Sequence, residues 1–436
     1  MKWFVLVTAI VLVAIIFDMS LLVYAAYVLV AVLLLARWVT RQWTDKLATQ
    51  RHCSLKQAEV GDQVQVTNAI ENQGRLPVSW VLVEDVLPPD TQLFKPHKLE
   101  VRGKRVGVFR LRPGEKHHLD YQLKCNRRGY YQIGPLLVET GDMFGLFRRF
   151  KIATEPSFLV VLPKPVPLEG YQIASRRPIG EIKLTHRLFE DPTRVSGVRE
   201  YMAGDPLNRV HWQATARTGK LHSKIYEPST MAGITILLDF HVASHTREHE
   251  PFRSEIAITA AASLAHTVFH LGQQTGLVTN GRDAADRVQE EGWRGQAKSR
   301  TQARDAVEMQ KKSDRLRPLI VPTRQGDDQF WKIMISLARL ELTDGLTFPE
   351  LITESGPRIP RDASVVAIVS RVDEQIAIAL GNMVRMGYGV TCLINTYESD
   401  LFAKYSGPLL SAGIQTLHLK DEETLATICR QQMVRA

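Results

Sequence analysis

Cysteine is scarce, with four in 436 residues. Cys53, Cys125, Cys392 and Cys429 lie far apart and form no C-x-x-C, so neither a disulfide framework nor a cysteine metal site is indicated, and a reducing compartment is expected. No G-x-x-x-x-G-K-[ST], G-x-S-x-G or H-E-x-x-H occurs, which removes the readily recognised NTPases, serine hydrolases and zinc proteases. Zinc-finger spacing and a basic strand with interleaved aromatics are also missing, so nucleic acid is not an expected partner. Acidic residues are in deficit, 46 against 55 basic ones, for a formal charge of +9. Such a balance favours anionic surfaces. Arg37, Arg41, Lys46 and Arg51 follow an apolar N-terminus, which makes lipid headgroups the natural candidate.

That N-terminus is nearly all apolar from Trp3 to Ala36, with Asp18 the only charge in the run. One helix of that length would extend about 50 Å, against about 30 Å of hydrocarbon. Splitting it at Asp18-Met19-Ser20 gives two short spans. Lys2 before them and Arg37 and Arg41 after them place both ends of the hairpin in the cytoplasm. A cleaved signal peptide fits poorly, because the run is twice the usual length. The expectation is a multi-pass protein of the bacterial inner membrane, anchored through residues 3–36, with its soluble part facing the cytoplasm.

The chain is long enough for two or three globular units. Between residues 52 and 163 apolar positions recur with period two: Val64, Val66 and Ile70 share one face, and Leu119, Tyr121 and Leu123 another. Turn signals punctuate these runs, which predicts a small β-sandwich. Residues 164–230 read as a connector. From residue 231 to 436 the grammar changes to continuous apolar runs such as "GITILLDF", "SVVAIVS" and "GVTCLIN". Helical segments are expected at 253–272, 328–342, 374–386 and 422–433. Alternating strands and helices predict an α/β doubly wound parallel sheet. Residues 282–317 hold ten basic and seven acidic side chains. They read as an exposed helical or mobile insertion in that domain.

The most crowded stretch is "VREYMAGDPLNRVHWQATARTGKLHSKIYEP", Val198 to Pro228. Gly204-Asp205-Pro206 has the grammar of a helix start, with Asp205 as N-cap, Pro206 in the first turn and Gly219 as the stop. Three readings compete. A catalytic centre lacks a nucleophile, base and orienter. An anion or partner grip would use the helix N-terminus with Arg199, Arg209 and Arg217. A structural staple would bury the Trp212 ring and pair the arginines with Glu200, Asp205 or Glu227 and with backbone carbonyls.

The same residues resemble a known signature. Arg199, Tyr201, Gly204, Asp205, Arg209, Trp212, Ala216 and Arg217 are similar to the motif of the bacterial family catalogued as domain of unknown function 58. So is the segment "CNRRGYYQIGPLLVETGDMFGLFRR", through Arg128, Gly129, Tyr131, Gly134, Pro135, Asp142, Phe144, Gly145, Leu146 and Phe147. The resemblance implies a membrane-anchored protein whose C-terminal domain is like von Willebrand factor A. It also implies work beside MoxR-type AAA+ ATPases in the maturation of protein complexes, with no enzymatic activity attached.

Domains of that fold often hold Mg²⁺ through Asp-x-Ser-x-Ser at the end of the first strand. Here Asp239 matches, but His241 and Ala243 replace the two serines. The remnant set is Asp239, Ser244, Ser370 and Asp373. His241, His245 and His249 recur every four residues, yet the segment reads as a loop, so no metal and no cofactor are expected. The functional expectation is a non-enzymatic membrane-anchored interaction or chaperone-accessory protein. Its alternatives are a metal-dependent hydrolase or transferase acting at the membrane, and a purely structural envelope protein.

Overall fold

The computed structural model describes residues 16, 20–91, 97–143, 145–168, 190–202, 210–228, 233–291, 293, 297, 299–305, 316–361 and 363–428. The first expected membrane span, most of the connector, and Gly204, Asp205 and Arg209 lie outside the described residues. Two compact units divide the chain, one of residues 1–164, 282–312 and 335–340, the other of 165–281, 313–334 and 341–436.

The first unit opens with α1, Ser20–Lys46. Its Tyr24–Lys46 stretch is long and apolar enough to cross a membrane, by length and composition. At 27 residues the helix extends about 40 Å. Leu21, Tyr24, Tyr27 and Val28 are exposed, whereas Trp43 near its C-terminal end is 6% exposed. The helix therefore runs ten residues past Ala36, where the expected membrane segment ends.

Eleven strands follow: β1 Leu47–Cys53, β2 Gln57–Glu59, β3 Gln63–Asn72, β4 Val78–Asp85, β5 Leu99–Gly103, β6 Val106–Leu111, β7 Lys116–Cys125, β8 Gly129–Ile133, β9 Leu136–Gly141, β10 Arg148–Thr154 and β11 Ser157–Leu162. They form sheets in the orders β1-β3-β7-β5, β10-β9-β4-β6 and β2-β11-β8. The period-two pattern fixes which face is buried. Val64, Val66, Ile70 and Leu123 are fully buried, as are Val81, Val83 and Val138 from β4 and β9. Ile70 and Leu119 share a cluster with Val81, Val83, Val138, Trp43 and Leu47, so both four-stranded sheets and the end of α1 contribute to one core.

The second unit begins with the paired strands β12 Glu190–Glu200 and β13 His222–Pro228, with α2 Trp212–Thr218 between them. Six further strands form one sheet: β14 Gly233–Leu238, β15 Gln274–Thr279, β16 Leu319–Arg324, β17 Ser364–Val369, β18 Val390–Ile394 and β19 Gln415–His418. Their order is β16-β15-β14-β17-β18-β19. All neighbours are parallel except β15 and β16. Pro322 within β16 has no N–H to donate, which suits an edge strand. α3 Phe252–His270 follows β14 and carries buried Ala261, Leu264, Ala265 and Val268. Among the described residues the chain's other α-helices are α4 Ala284–Glu291 and α5 Arg300–Asp305, both in the first unit, then α6 Asp327–Arg339, α7 Phe348–Ser355, α8 Glu374–Arg385, α9 Ser399–Ser411 and α10 Glu422–Ala426.

The mixed-charge block corrects an expectation. Instead of standing exposed within the α/β domain, residues 282–312 group with the first unit. Trp293, Ala297 and buried Ala303 pack with Val86, Leu137, Phe150 and Ile152. Arg300 and Arg304 pair with Glu84, which is 5% exposed. Small apolar anchors and a buried carboxylate, not the charge density, decide where this segment sits.

Candidate functional site

In a doubly wound sheet, strands diverge at the C-terminal edge where the order reverses, and a crevice opens there. In this chain the reversal falls between β14 and β17. Both strands are buried along their whole length, so the first polar side chains at the edge come from the residues just after them.

Asp239, following β14, is 1% exposed. Its Oδ1 accepts from the His241 N–H (3.2 Å) and from Asn280 Nδ2 (3.0 Å). Asn280 holds the turn together by accepting from the Phe240 N–H and donating to the Leu346 carbonyl. Asp239 Oδ2 has no partner among the described residues. His241 Nδ1 accepts from the Ala243 N–H and so faces its own short turn. His245 is buried, with Nδ1 2.9 Å from Glu250 Oε1 and Nε2 3.4 Å from the Asp239 carbonyl. Glu250 in turn accepts from the Ser254 N–H and hydroxyl.

On the other side of the reversal, Ser370 follows β17 and accepts from Asn395 Nδ2 at 3.2 Å. Asp373 caps α8 by accepting from the Ile376 N–H at 2.8 Å. The oxygen set expected for a divalent cation therefore does not fit. His241 and Ala243 supply no hydroxyl, and Asp373 commits one carboxylate oxygen to a helix end. The three histidines sit on a turn-rich loop rather than one helical face. Among the described residues no group of three or more His, Cys, Asp or Glu converges as metal ligands would.

Sequence reasoning missed Arg253, the second residue of α3. It is 5% exposed. Its Nη1 donates to Asn395 Oδ1 (3.1 Å) and to the Lys420 carbonyl (2.8 Å), and Asn395 Nδ2 returns a bond to the Arg253 carbonyl. Nη2 is buried with no hydrogen-bond partner among the described residues. An unsatisfied charged donor costs about 1–3 kcal/mol or more. Burial pulls the guanidinium down from its ordinary value, while Asp421, Tyr397 and Glu250 pull it back up. A cation at a helix N-terminus also opposes the helix dipole. In sequence an arginine at a helix start looks like any surface cation, so no local signal could have found it.

Arg253 lines a crevice of about 430 Å³ together with Arg371, Lys404, His249, Asn395 and Tyr397. The Tyr397 ring lies 5.4 Å from the guanidinium carbon and 5.4 Å from Lys420 Nζ. Ser244, Ser370 and Asp373 line the same crevice, and Asp239 does not.

The crowded stretch between β12 and β13 is built differently from the expected staple. Val210 still pairs with Ser223 as an isolated bridge. His211 is the N-cap, its Nδ1 accepting from the Ala214 N–H. The described helix is seven residues long, Trp212–Thr218, and ends at Gly219 with φ 69°; the expected start at Asp205 and Pro206 lies outside the described residues. Trp212 is 69% exposed and its helix buries no residue, so the ring is not a buried staple. Arg199 Nη1 donates to the Glu200 carbonyl. Lys220 pairs with the Glu200 carboxylate. The Tyr201 N–H bonds the Leu221 carbonyl, and Arg217 is exposed.

The second motif has structural work. Gly134 has φ +94°, and a Cβ there would stand 2.3 Å from the Arg51 guanidinium. Tyr131 donates its hydroxyl to the Arg127 and Arg128 carbonyls. Asp142 Oδ1 accepts from the Phe147 N–H. Arg128 Nη1 donates to the Leu337 and Leu340 carbonyls, in a segment grouped with the first unit.

Residues 197–299 match the family model described as protein of unknown function DUF58. A relative, the uncharacterized protein YeaD of Bacillus subtilis (strain 168), is 25% identical over 236 residues. The match covers 53% of this chain and 56% of YeaD, so the chain spans little more than half of that relative's length. Together the two matches support the DUF58 family. Similar solved structures include the CARDB domain of the PF1109 protein from Pyrococcus furiosus, at 14% identity over 27% of this chain and 87% of that one, TM-score 0.19. Another is the ASH/PapD-like domain of human CEP192, at 13% identity over 28% and 87%, TM-score 0.19. Nothing about function is drawn from likenesses at that level.

Proposed function

We propose that this chain is a membrane-anchored, non-enzymatic interaction protein. It would consist of an N-terminal helical hairpin, a β-sandwich unit, and a von Willebrand factor A-like unit that offers the C-terminal edge of its sheet to a protein partner. The observation that carries this reading is the state of the polar groups at that edge. Asp239 Oδ1, His241, His245, Ser370 and Asp373 all have hydrogen bonds to the fold, which suits a docking surface better than an acid–base pair waiting for substrate. The strand order, with its single antiparallel edge strand, supports the von Willebrand factor A-like assignment. The partner favoured by the family resemblance is a MoxR-type AAA+ ATPase, met on the cytoplasmic side.

Two measurements test this. The full chain, solubilised in detergent, should retain a purified MoxR-type ATPase encoded by the same genome, and retention should fall when the loop around Asp239 and Ser370 is altered. No retention of that ATPase at micromolar concentrations sinks the partnership. Topology needs a reporter fused to the C-terminus. Cys392 cannot serve for impermeant labelling, because it is 0% exposed and burial pushes its thiol up to about 12. Activity of a periplasm-only reporter would overturn the cytoplasmic placement. Stoichiometric metal lost with Asp239→Ala would favour the metal-dependent alternative.

A further inference from the structure

We propose that the crevice over β17 and β18 is an oxyanion site, in which Arg253 Nη2 donates to a carboxylate or a phosphate. The proposal stands on the second unit alone and goes beyond the docking reading, which assigns no ligand chemistry to any residue.

Two independent observations converge on it. The first is the guanidinium itself: 5% exposed, fixed by Asn395 and the Lys420 carbonyl through one terminal nitrogen, with the other buried and without a hydrogen-bond partner among the described residues. Arginine is the side chain whose paired N–H groups match an oxyanion, and a second, fixed nitrogen gives such a bond direction as well as charge. The second is the surrounding wall. Arg371 and Lys404 add positive charge, and the volume of about 430 Å³ lies within the usual ligand range of roughly 300–1,000 Å³. Asp373 and Glu398 also line the crevice, so basic groups exceed acidic ones by three to two if histidines are left out. Asp373 also caps α8 through Oδ1, and it and Glu398 are the acids of the wall.

Tyr397 is 58% exposed and stands over the guanidinium. Its ring is the feature an incoming oxyanion must slide past, and its removal should change access to Nη2. The N-terminal end of the 19-residue α3 adds its partial positive charge to the same region.

The test uses the full chain in detergent, with two probes. One is inorganic phosphate. The other is a short blocked peptide carrying one glutamate, compared with its glutamine counterpart. Calorimetry and the unfolding midpoint are read for the native chain, Arg253→Gln, Tyr397→Ala and, as an outside control, Lys220→Gln. Saturable binding of at least one probe is expected for the native chain and Lys220→Gln, and roughly tenfold or more weaker binding for Arg253→Gln. Preference for phosphate or for the glutamate peptide identifies the source of the oxyanion. Absence of binding to the native chain at millimolar probe, or unchanged affinity in Arg253→Gln, overturns the site. If Arg253→Gln does not fold, Tyr397→Ala decides: a threefold or larger change in affinity supports the site, and none overturns it. A chain that binds a probe but retains no ATPase refutes the docking partner alone, and the converse refutes only the oxyanion site.

Discussion

Arg51 of the first unit and Arg253 of the second are both buried arginines, and the two are treated in opposite ways. Arg51 in the first unit has a side chain 2% exposed and faces Asp85, whose side chain is fully buried. Its Nε and Nη2 both reach that carboxylate, and its Nη1 donates to the Ile133 and Glu155 carbonyls. Asn68 and Tyr121 complete Asp85 from β3 and β7. Among the described residues Arg253 in the second unit hydrogen-bonds only through Nη1, has no hydrogen-bonded carboxylate, and keeps Nη2 buried without a partner. A charge neutralised on every side holds strands together. A charge left with a free donor beside a crevice is available to something else.

The largest effect should come from breaking the neutral pair. Asp85→Ala leaves the Arg51 guanidinium buried and uncompensated, which costs about 3–5 kcal/mol. Hydrogen exchange should show faster exchange in β3 and β7, with the second unit unchanged. Gly134→Ala should act at the same place, since its φ of +94° disfavours a side chain and its Cβ would meet Arg51 at 2.3 Å. The matched test in the second unit is Arg253→Met. It removes a buried charge without orphaning a hydrogen-bonded carboxylate, so its cost should be only about 1 kcal/mol, the worth of its lost hydrogen bonds. Equal losses from Arg51→Met and Arg253→Met in denaturant titrations would erase the distinction. An intermediate effect, about 1–2 kcal/mol, is expected for Glu84→Gln, which weakens the grip on Arg300 and Arg304. Protease cleavage within residues 282–305 should then quicken.

How much of this contrast could be read in the sequence depends on range. Period-two alternation placed Val64, Val66, Ile70, Leu119, Tyr121 and Leu123 inside, and all are buried. Continuous apolar runs located the strands of the second unit, because strands covered on both faces need no polar positions. The direction of β16 was not legible, although Pro322 marks it as an edge strand. α7 was missed despite a readable cue, the capping box of Thr347 and Glu350. α9 was hidden by Gly407 and Pro408 inside it. For the candidate site, Asp239 and Ser370 were found because they follow strands. Arg253 was not, because its burial depends on Asn395 and Lys420, more than 140 positions away. The 282–317 block was misplaced for the same reason. Net charge describes a segment's average, whereas Ala303, Trp293 and Glu84 meet only in the folded chain.

The smallest expected effect separates the units by acid. His266 and His418, both in the second unit, are held below the ordinary imidazole value chiefly by burial. Asp421 and Glu350 are held below the carboxylate range by capping hydrogen bonds, from Thr424 and Thr347 respectively. For all four the folded state binds its proton less readily than the unfolded chain. Each contribution is therefore complete above the unfolded value and is lost as pH falls through the folded one. The histidines act first, from about pH 6.5 downward, and the carboxylates below about pH 4.5. In the first unit the resolved shifts are upward ones, for Cys53, Tyr121, Cys125 and Tyr130, with burial the leading cause. Their contributions are complete below the unfolded values and decline only in alkali. Lowering pH from 7 to 5 should thus speed hydrogen exchange, corrected for its intrinsic pH dependence, in α3 and β19 before β3 and β7. The order should equalise when His266 and His418 are both changed to Gln. If the first unit loosens first in acid, the acid sensitivity of the second unit does not rest on these half-buried imidazoles.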